Sequence, residues 1–314
     1  MIKDNYLYST IYDNLADFTP ERGSVYLYGH SAEERSYISE ELIARFPSEI
    51  TFIELKEISH DIIKDSYSNN EYHLRDRVSI SKFLSLFNAT TLYLDSTGLN
   101  NRICAALLNN AFSLFSTLNI SDIKVIYAEP ETYKVVQFST EGIFHDLSES
   151  IDGIEPLPGF ASIIPYNEND TCLVALLGFE GGRFVYILEH VESSNVFPVI
   201  GVPGFRPEYP FLAYWGNRRP LENGDIWSNI RYASANSISD VYILLTKFLK
   251  DSPSGRIKVS PIGTKPHAIA AILFAIKNPL KVELIYDNPK RVKKRTEGVG
   301  KIVECSVYKL LIDK

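Results

Sequence analysis

Short apolar runs rich in β-branched and aromatic residues alternate along the chain with stretches whose apolar positions recur every three or four residues. Runs of the first kind suit strands buried on both faces, and stretches of the second kind suit helices with one apolar stripe. In the first half the strand runs are VYLYG (25–29), TFIEL (51–55), TLYLD (91–95) and IKVIYA (123–128). The clearest helical pattern spans 100–118, where Ile103, Leu107, Leu108, Ala111 and Leu114 share a face. This alternation predicts βαβ units and a mainly parallel sheet.

Residues 145–170 mix acidic, proline and glycine residues without periodicity and read as a junction. The alternation then restarts, with strands expected at 172–178, 197–202, 230–234, 257–262 and 282–287 and helices at 181–193, 238–250 and 266–277. A last apolar run, 302–311, follows 282–287 after a gap too short for a crossover helix, which predicts an antiparallel hairpin. The expectation is an α/β protein of two Rossmann-like lobes with mainly parallel sheets and a C-terminal β-hairpin, divided into domains 1–150 and 151–314.

An internal repeat supports two similar lobes. YLDSTGLNNRICAALLNNAF from Tyr93 resembles KVSPIGTKPHAIAAILFAI from Lys258, and the strands that follow end in YAEP (127–130) and YDNP (286–289). The lobes also begin alike, VYLYGHSAEER matching LVALLGFEGGR, each a strand, a glycine and a helix start carrying an arginine.

With 314 residues the chain is long enough for two cores, and 45% hydrophobic with 23% charged residues excludes wholesale disorder. Cys104, Cys172 and Cys305 lie apart among apolar neighbours, as reduced buried thiols do, and no zinc-ligand spacing occurs. No leader-like N-terminus and no long uncharged apolar stretch is present, so a cytoplasmic protein without a membrane partner is expected. The net charge of −7 argues against a surface built wholly for nucleic acid. It conceals a local asymmetry: Lys290, Arg291, Lys293, Lys294, Arg295 and Lys301 face Glu297 alone, a net +5 that leaves −12 elsewhere.

Ligands of open parallel sheets lie beyond the carboxyl ends of the strands, which directs attention to four loops. GFEGGR offers Gly178, Gly181 and Gly182 for close backbone approach, with Glu180 and Arg183 at a helix start that favours an anion. IGTKPHA places Gly263, Thr264 and Lys265 before a second helix, Thr264 as its cap and Lys265 near its positive end. The counterpart LDSTG supplies Asp95 and Thr97, with Ser96, while GHSAEER reads as a capping box of Ser31 and Glu34. Neither a Walker A motif, a GxGxxG fingerprint nor a GxSxG elbow is present.

The segment 202–221, VPGFRPEYPFLAYWGNRRPL, reads as a long irregular insertion, too aromatic and proline-rich for a helix. Arg206, Arg218 and Arg219 could pair with phosphates, Tyr209, Phe211, Tyr214 and Trp215 could stack on a base, and Asn217 could read its edge. Of the histidines His30, His60, His73, His145, His190 and His267, none has metal-ligand spacing; His30 and His267 lie nearest the candidate loops.

The strand followed by Gly263-Thr264-Lys265-Pro266 and an apolar helix resembles the Gly-Thr-Lys signature of CRISPR-associated Rossmann-fold (CARF-like) sensor domains. The resemblance implies an oligonucleotide messenger bound at the strand ends, phosphate contacts from Gly263, Thr264 and Lys265, a homodimer and an antiviral-defence setting. The match rests on few residues: Ile262 stands where the family's second glycine would, and no appended nuclease domain is visible. The leading expectation is therefore a sensor or scaffold for a nucleotide or oligonucleotide phosphate, with no metal and no cofactor that can be named. One alternative is a metal-dependent nucleotide hydrolase or nuclease using Glu180 and His267 as catalytic residues. The other is an interaction subunit whose basic hairpin, Lys290 to Lys301, docks an acidic partner or nucleic acid.

Overall fold

The computed structural model describes residues 8–133, 148–162, 171–292 and 295–312, without the side chains of residues 224, 225 and 291. The chain forms two compact units, 1–134 with 293–314, and 135–292. The first contributes β1 (Ser9–Tyr12), β2 (Val25–Tyr28), α1 (Ile38–Arg45), β3 (Thr51–Ser59), β4 (Ile62–Asp65), β5 (Glu71–His73), α2 (Arg77–Leu84), β6 (Thr91–Asp95), α3 (Asn101–Leu114) and β7 (Asp122–Tyr133). The second holds β8 (Ser148–Ile151), β9 (Glu155–Pro156), β10 (Cys172–Leu176), α4 (Gly181–His190), β11 (Asn195–Gly201), α5 (Tyr209–Gly216), α6 (Arg218–Glu222), β12 (Arg231–Ala233), α7 (Ile238–Asp251), β13 (Ile257–Pro261), α8 (Lys265–Lys277), β14 (Val282–Tyr286) and β15 (Pro289–Arg291). The chain then returns to the first unit as β16 (Thr296–Ser306) and α9 (Val307–Ile312).

Among the described residues the first sheet runs β1-β16-β7-β6-β2-β3-β4-β5, with β7, β6, β2 and β3 mutually parallel. The second runs β12-β11-β10-β13-β14-β9, its first five strands parallel. Numbered by appearance, those five stand in the order 3-2-1-4-5, the doubly wound arrangement. Both sheets are Rossmann-like. Their central strands β6 and β10 are buried at every position, which is why they read as unbroken apolar runs rather than alternating ones. Helix α8 is buried from Pro266 through Ala275, matching its nearly uniform apolar sequence.

Two expectations are corrected here. The run 302–311 does not pair with 282–287: β16 lies antiparallel to β7 and β1, with Val303 opposite Tyr127 and Ile11, and the run breaks after Ser306 into α9. The outer edge of β14 is already taken by β9, whereas β7 offers an open apolar edge. The segment 202–221 is not irregular. It contains α5 and α6, because Pro210 and Pro220 fall in first turns, where no helical N–H is needed.

Candidate functional site

A bound ligand in such sheets sits where the strand order reverses, between β2 and β6 in the first unit and between β10 and β13 in the second. The loops singled out from the sequence do meet there, and their backbones pack closely against one another. A Cβ on Gly263 would lie 2.6 Å from the Leu177 carbonyl oxygen, and one on Gly178 would lie 3.2 Å from that of Ile262. In the first unit a Cβ on Gly98 would come within 1.7 Å of the Gly29 carbonyl oxygen. These glycines serve loop-to-loop packing. Gly181 is likewise pressed against the end of α5, since its Cβ would be 2.0 Å from the Gly216 carbonyl oxygen; Gly182 has open space on that side.

Arg183 does not face a phosphate. It is buried, holds Asp287 through two hydrogen bonds of 2.7 and 2.6 Å, donates to the Ile262 carbonyl oxygen at 2.9 Å, and has Glu180 at 3.4 Å. Burial would discharge it, but the Asp287 and Glu180 carboxylates raise its pKa further. The first unit repeats the device. Arg35 is buried, binds Glu33 at 2.7 Å, and donates to the Ala128 carbonyl oxygen at 2.6 Å. Arg295 and Thr296 close on the same carboxylate. Burial raises the Glu33 pKa, yet Arg35 and Arg295 outweigh it and hold it down to about 2. Each arginine also lies over a tyrosine ring, Arg35 over Tyr127 at 5.2 Å and Arg183 over Tyr286 at 5.8 Å. Those rings open the matching tetrapeptides YAEP and YDNP, the signal by which both knots could have been found.

Most of the remaining crevice candidates have internal partners too. Asp95 is buried, accepts from Tyr26 Oη at 3.1 Å and from the Thr97 amide at 2.9 Å, and burial pushes its pKa up. Thr97 Oγ1 accepts from the Ala128 amide. Thr264 caps α8 and donates to the Ala235 carbonyl oxygen at 2.8 Å, while Lys265 is its half-buried first residue. His267 is fully buried; Nε2 bonds the Ser234 carbonyl oxygen at 2.9 Å, and burial lowers its pKa to about 4. Glu180 and His267 thus answer to different partners. No group of three or more histidine, cysteine or acidic side chains among the described residues could hold a metal. Buried Asn217 donates to the carbonyl oxygens of Gly178 at 2.8 Å and Ala213 at 2.7 Å, so it reads no base edge.

His30 lies between Glu54, 3.4 Å from Nδ1, and Ser39, 3.4 Å from Nε2, and stacks on Tyr37. The order is that of a hydrolytic triad, but Ser39 is fully buried in α1. The capping box is not formed: the Ser31 hydroxyl accepts from the Glu33 amide at 3.3 Å, and its own amide bonds Ser36. The described cationic side chains of the basic segment are ion-paired. Lys290 pairs with Asp152, Lys301 with Asp13 and Arg295 with Glu33; Lys293, Lys294 and the side chain of Arg291 lie outside the described residues, as does His145.

Among the candidate segments, 202–222 keeps an exposed face. Asn217 joins the two helices as the cap of both, its amide bonding the Ala213 carbonyl oxygen and its own carbonyl oxygen accepting from the Leu221 amide. Tyr209, Ala213, Gly216, Asn217, Pro220 and Leu221 are buried, so the opposite stripe faces solvent. On it Phe211, Tyr214 and Trp215 are 76%, 40% and 43% exposed. The Arg218 guanidinium lies 4.6 Å over the Trp215 ring, and its ion pair with Glu222 is long, 3.9 Å. Arg206 is similarly loosely paired with Glu208 at 3.9 Å. Tyr209 turns inward onto Phe179, ring centroids 5.4 Å apart, and does not join the stripe.

The fold and this surface define an α/β protein with two Rossmann-like sheets, closely packed strand-end loops and an aromatic, arginine-bearing helix face. No family model matches the chain, and no curated protein matches it. Among solved structures, a GDP-L-fucose synthetase from Naegleria fowleri aligns over 92% of this chain and 89% of its own, at 9% identity and a TM-score of 0.23.

Proposed function

We propose that the protein is a sensor or scaffold that binds a nucleotide-class ligand, one carrying planar bases and phosphates, on the α5–α6 face of its second unit. The observation that supports this is the stripe Phe211, Tyr214, Trp215 and Arg218: three rings exposed on one helix face, with a guanidinium stacked on one of them. Exposed rings accept a base face without regard to sequence, and arginines beside them meet phosphates. The crevice loops are weaker candidates for this role, since Gly178, Gly181, Gly263, Arg183 and Thr264 make internal contacts. Titrating a labelled nucleotide or oligonucleotide panel by fluorescence anisotropy tests the reading. Phe211→Ala and Trp215→Ala should each weaken binding roughly 5- to 150-fold, the worth of about 1–3 kcal/mol of stacking, and Lys265→Ala should leave it unchanged. Loss of binding in Lys265→Ala alone would place the ligand in the crevice, and no binding to any member of the panel would end the proposal.

A further inference from the structure

We infer that the ligand of this face is a single-stranded nucleic acid of several nucleotides, rather than a mononucleotide or a duplex. The inference rests on the nucleotide-class reading above and narrows it. The first reason is shape. A mononucleotide held by so few groups needs a concave pocket that buries most of its surface. A helix stripe is convex and offers each base one ring face, so useful affinity requires several bases in a row.

The second reason is spacing. Phe211 and Trp215 are four residues apart on one helical path, an axial separation of about 6 Å at roughly 1.5 Å per residue. Bases within one strand of a duplex are only about 3.4 Å apart. Bases lying on both rings must therefore be drawn apart from each other, which a single strand permits and a duplex resists. Tyr214, beside Trp215 on the same stripe, widens the platform for the second base.

The third reason is charge. Arg206, Arg218 and Arg219 stand against Glu208 and Glu222, and the two ion pairs formed are both 3.9 Å long, so a phosphate can displace either carboxylate at little cost. Arg218 Nε is buried without a hydrogen bond, and the guanidinium lies over the Trp215 ring. A base stacking over Trp215 lies on the Arg218 guanidinium that already covers that ring, which also sets a cation beside the adjoining phosphate. Three arginines also limit the electrostatic share of binding. The salt dependence should be shallow, with log K falling against log salt at a slope near −2, at about 0.7 per phosphate for a single strand.

The experiment measures anisotropy of fluorescein-labelled oligothymidylate of about ten nucleotides, the same strand annealed to oligoadenylate, and labelled thymidine monophosphate, each at three salt concentrations. The single strand should bind at least tenfold tighter than either other probe, with the shallow slope. Arg218→Gln should weaken it and flatten the slope by about 0.7, and Phe211→Ala should weaken it at an unchanged slope. Both positions are solvent-facing, and far-UV circular dichroism checks that the variants fold. Monophosphate binding as tight as the oligomer's overturns the single-strand inference and leaves the nucleotide-class reading standing. Duplex binding as tight as the single strand's, or a slope steeper than about −5, overturns it in favour of another, more basic surface. If none of the three binds, both readings fall together.

Discussion

Two adjacent glycines at the start of α4 should respond in opposite ways to the same added methyl group. Gly181→Ala places a Cβ 2.0 Å from a backbone oxygen of Gly216, where neither side is the end of a flexible side chain. Helix α5 must move, and a cost of about 2–4 kcal/mol is expected. Gly182→Ala meets no atom within 4 Å and replaces a poor helix former with the best, so it should be neutral or stabilising by up to about 1 kcal/mol. Urea midpoints of the two variants at a common m-value decide the matter; equal midpoints would mean that the α4–α5 approach is looser than described. His267 makes a second prediction at this scale. Its folded pKa of about 4 lies below the ordinary 6.5, so the unfolded chain takes up a proton first as pH falls. The neutral ring thus contributes stability that is complete above about pH 6.5 and is lost down to about pH 4, on the order of 3 kcal/mol over that window. The pH profile of His267→Gln should lack this fall. A parallel decline in both proteins would assign it to other groups.

At the scale of elements, β16 is the segment whose partner differs most from what its neighbours in the chain suggest. Amide exchange should therefore protect Val303, Glu304 and Cys305 in step with Val125, Ile126 and Tyr127, which they face, and not with Leu284 to Tyr286. Exchange in step with β14 would restore the hairpin. The parallel strands were legible in the sequence because burial on both faces writes itself as an unbroken apolar run, and TLYLD at 91–95 coincides with β6. The pairing of β16 was not legible: a strand's edge partner depends on which edges the rest of the chain has already covered, and β9, two residues of loop-like sequence, covers β14. The helices α5 and α6 were hidden for a different reason. Proline and aromatic content counted against them, although prolines in first turns are compatible with a helix. For the site, the aromatic and arginine residues were visible as a composition, but their division into a buried Tyr209 and Asn217 and an exposed Phe211, Tyr214 and Trp215 required the helical period. The glycine loops were legible as close approaches; what approached them was protein.

Across the whole molecule, the sequence repeat becomes a repeat of mechanism for holding an α/β sheet together at its carboxyl end. In each unit the helical turn after the first parallel strand carries one buried arginine, which reaches across to the strand bearing the matching tetrapeptide and lies over its tyrosine. The acidic partners differ, Glu33 supplied locally in the first unit and Asp287 from across the sheet in the second, so the geometry is shared while the charges were placed independently. Removing one arginine leaves a buried carboxylate short of its cation, a loss of about 3–5 kcal/mol. The two knots share no residue, so Arg35→Met should lower exchange protection in β2, β6 and β7, Arg183→Met in β10, β13 and β14, and the double variant should show the sum within about 0.5 kcal/mol. Because Glu33 retains Arg295, the first-unit variant should be the milder of the pair. Protection lost in both units from either single variant would mean that the molecule folds as one cooperative body, and the repeated knots would then be parts of a single network instead of two.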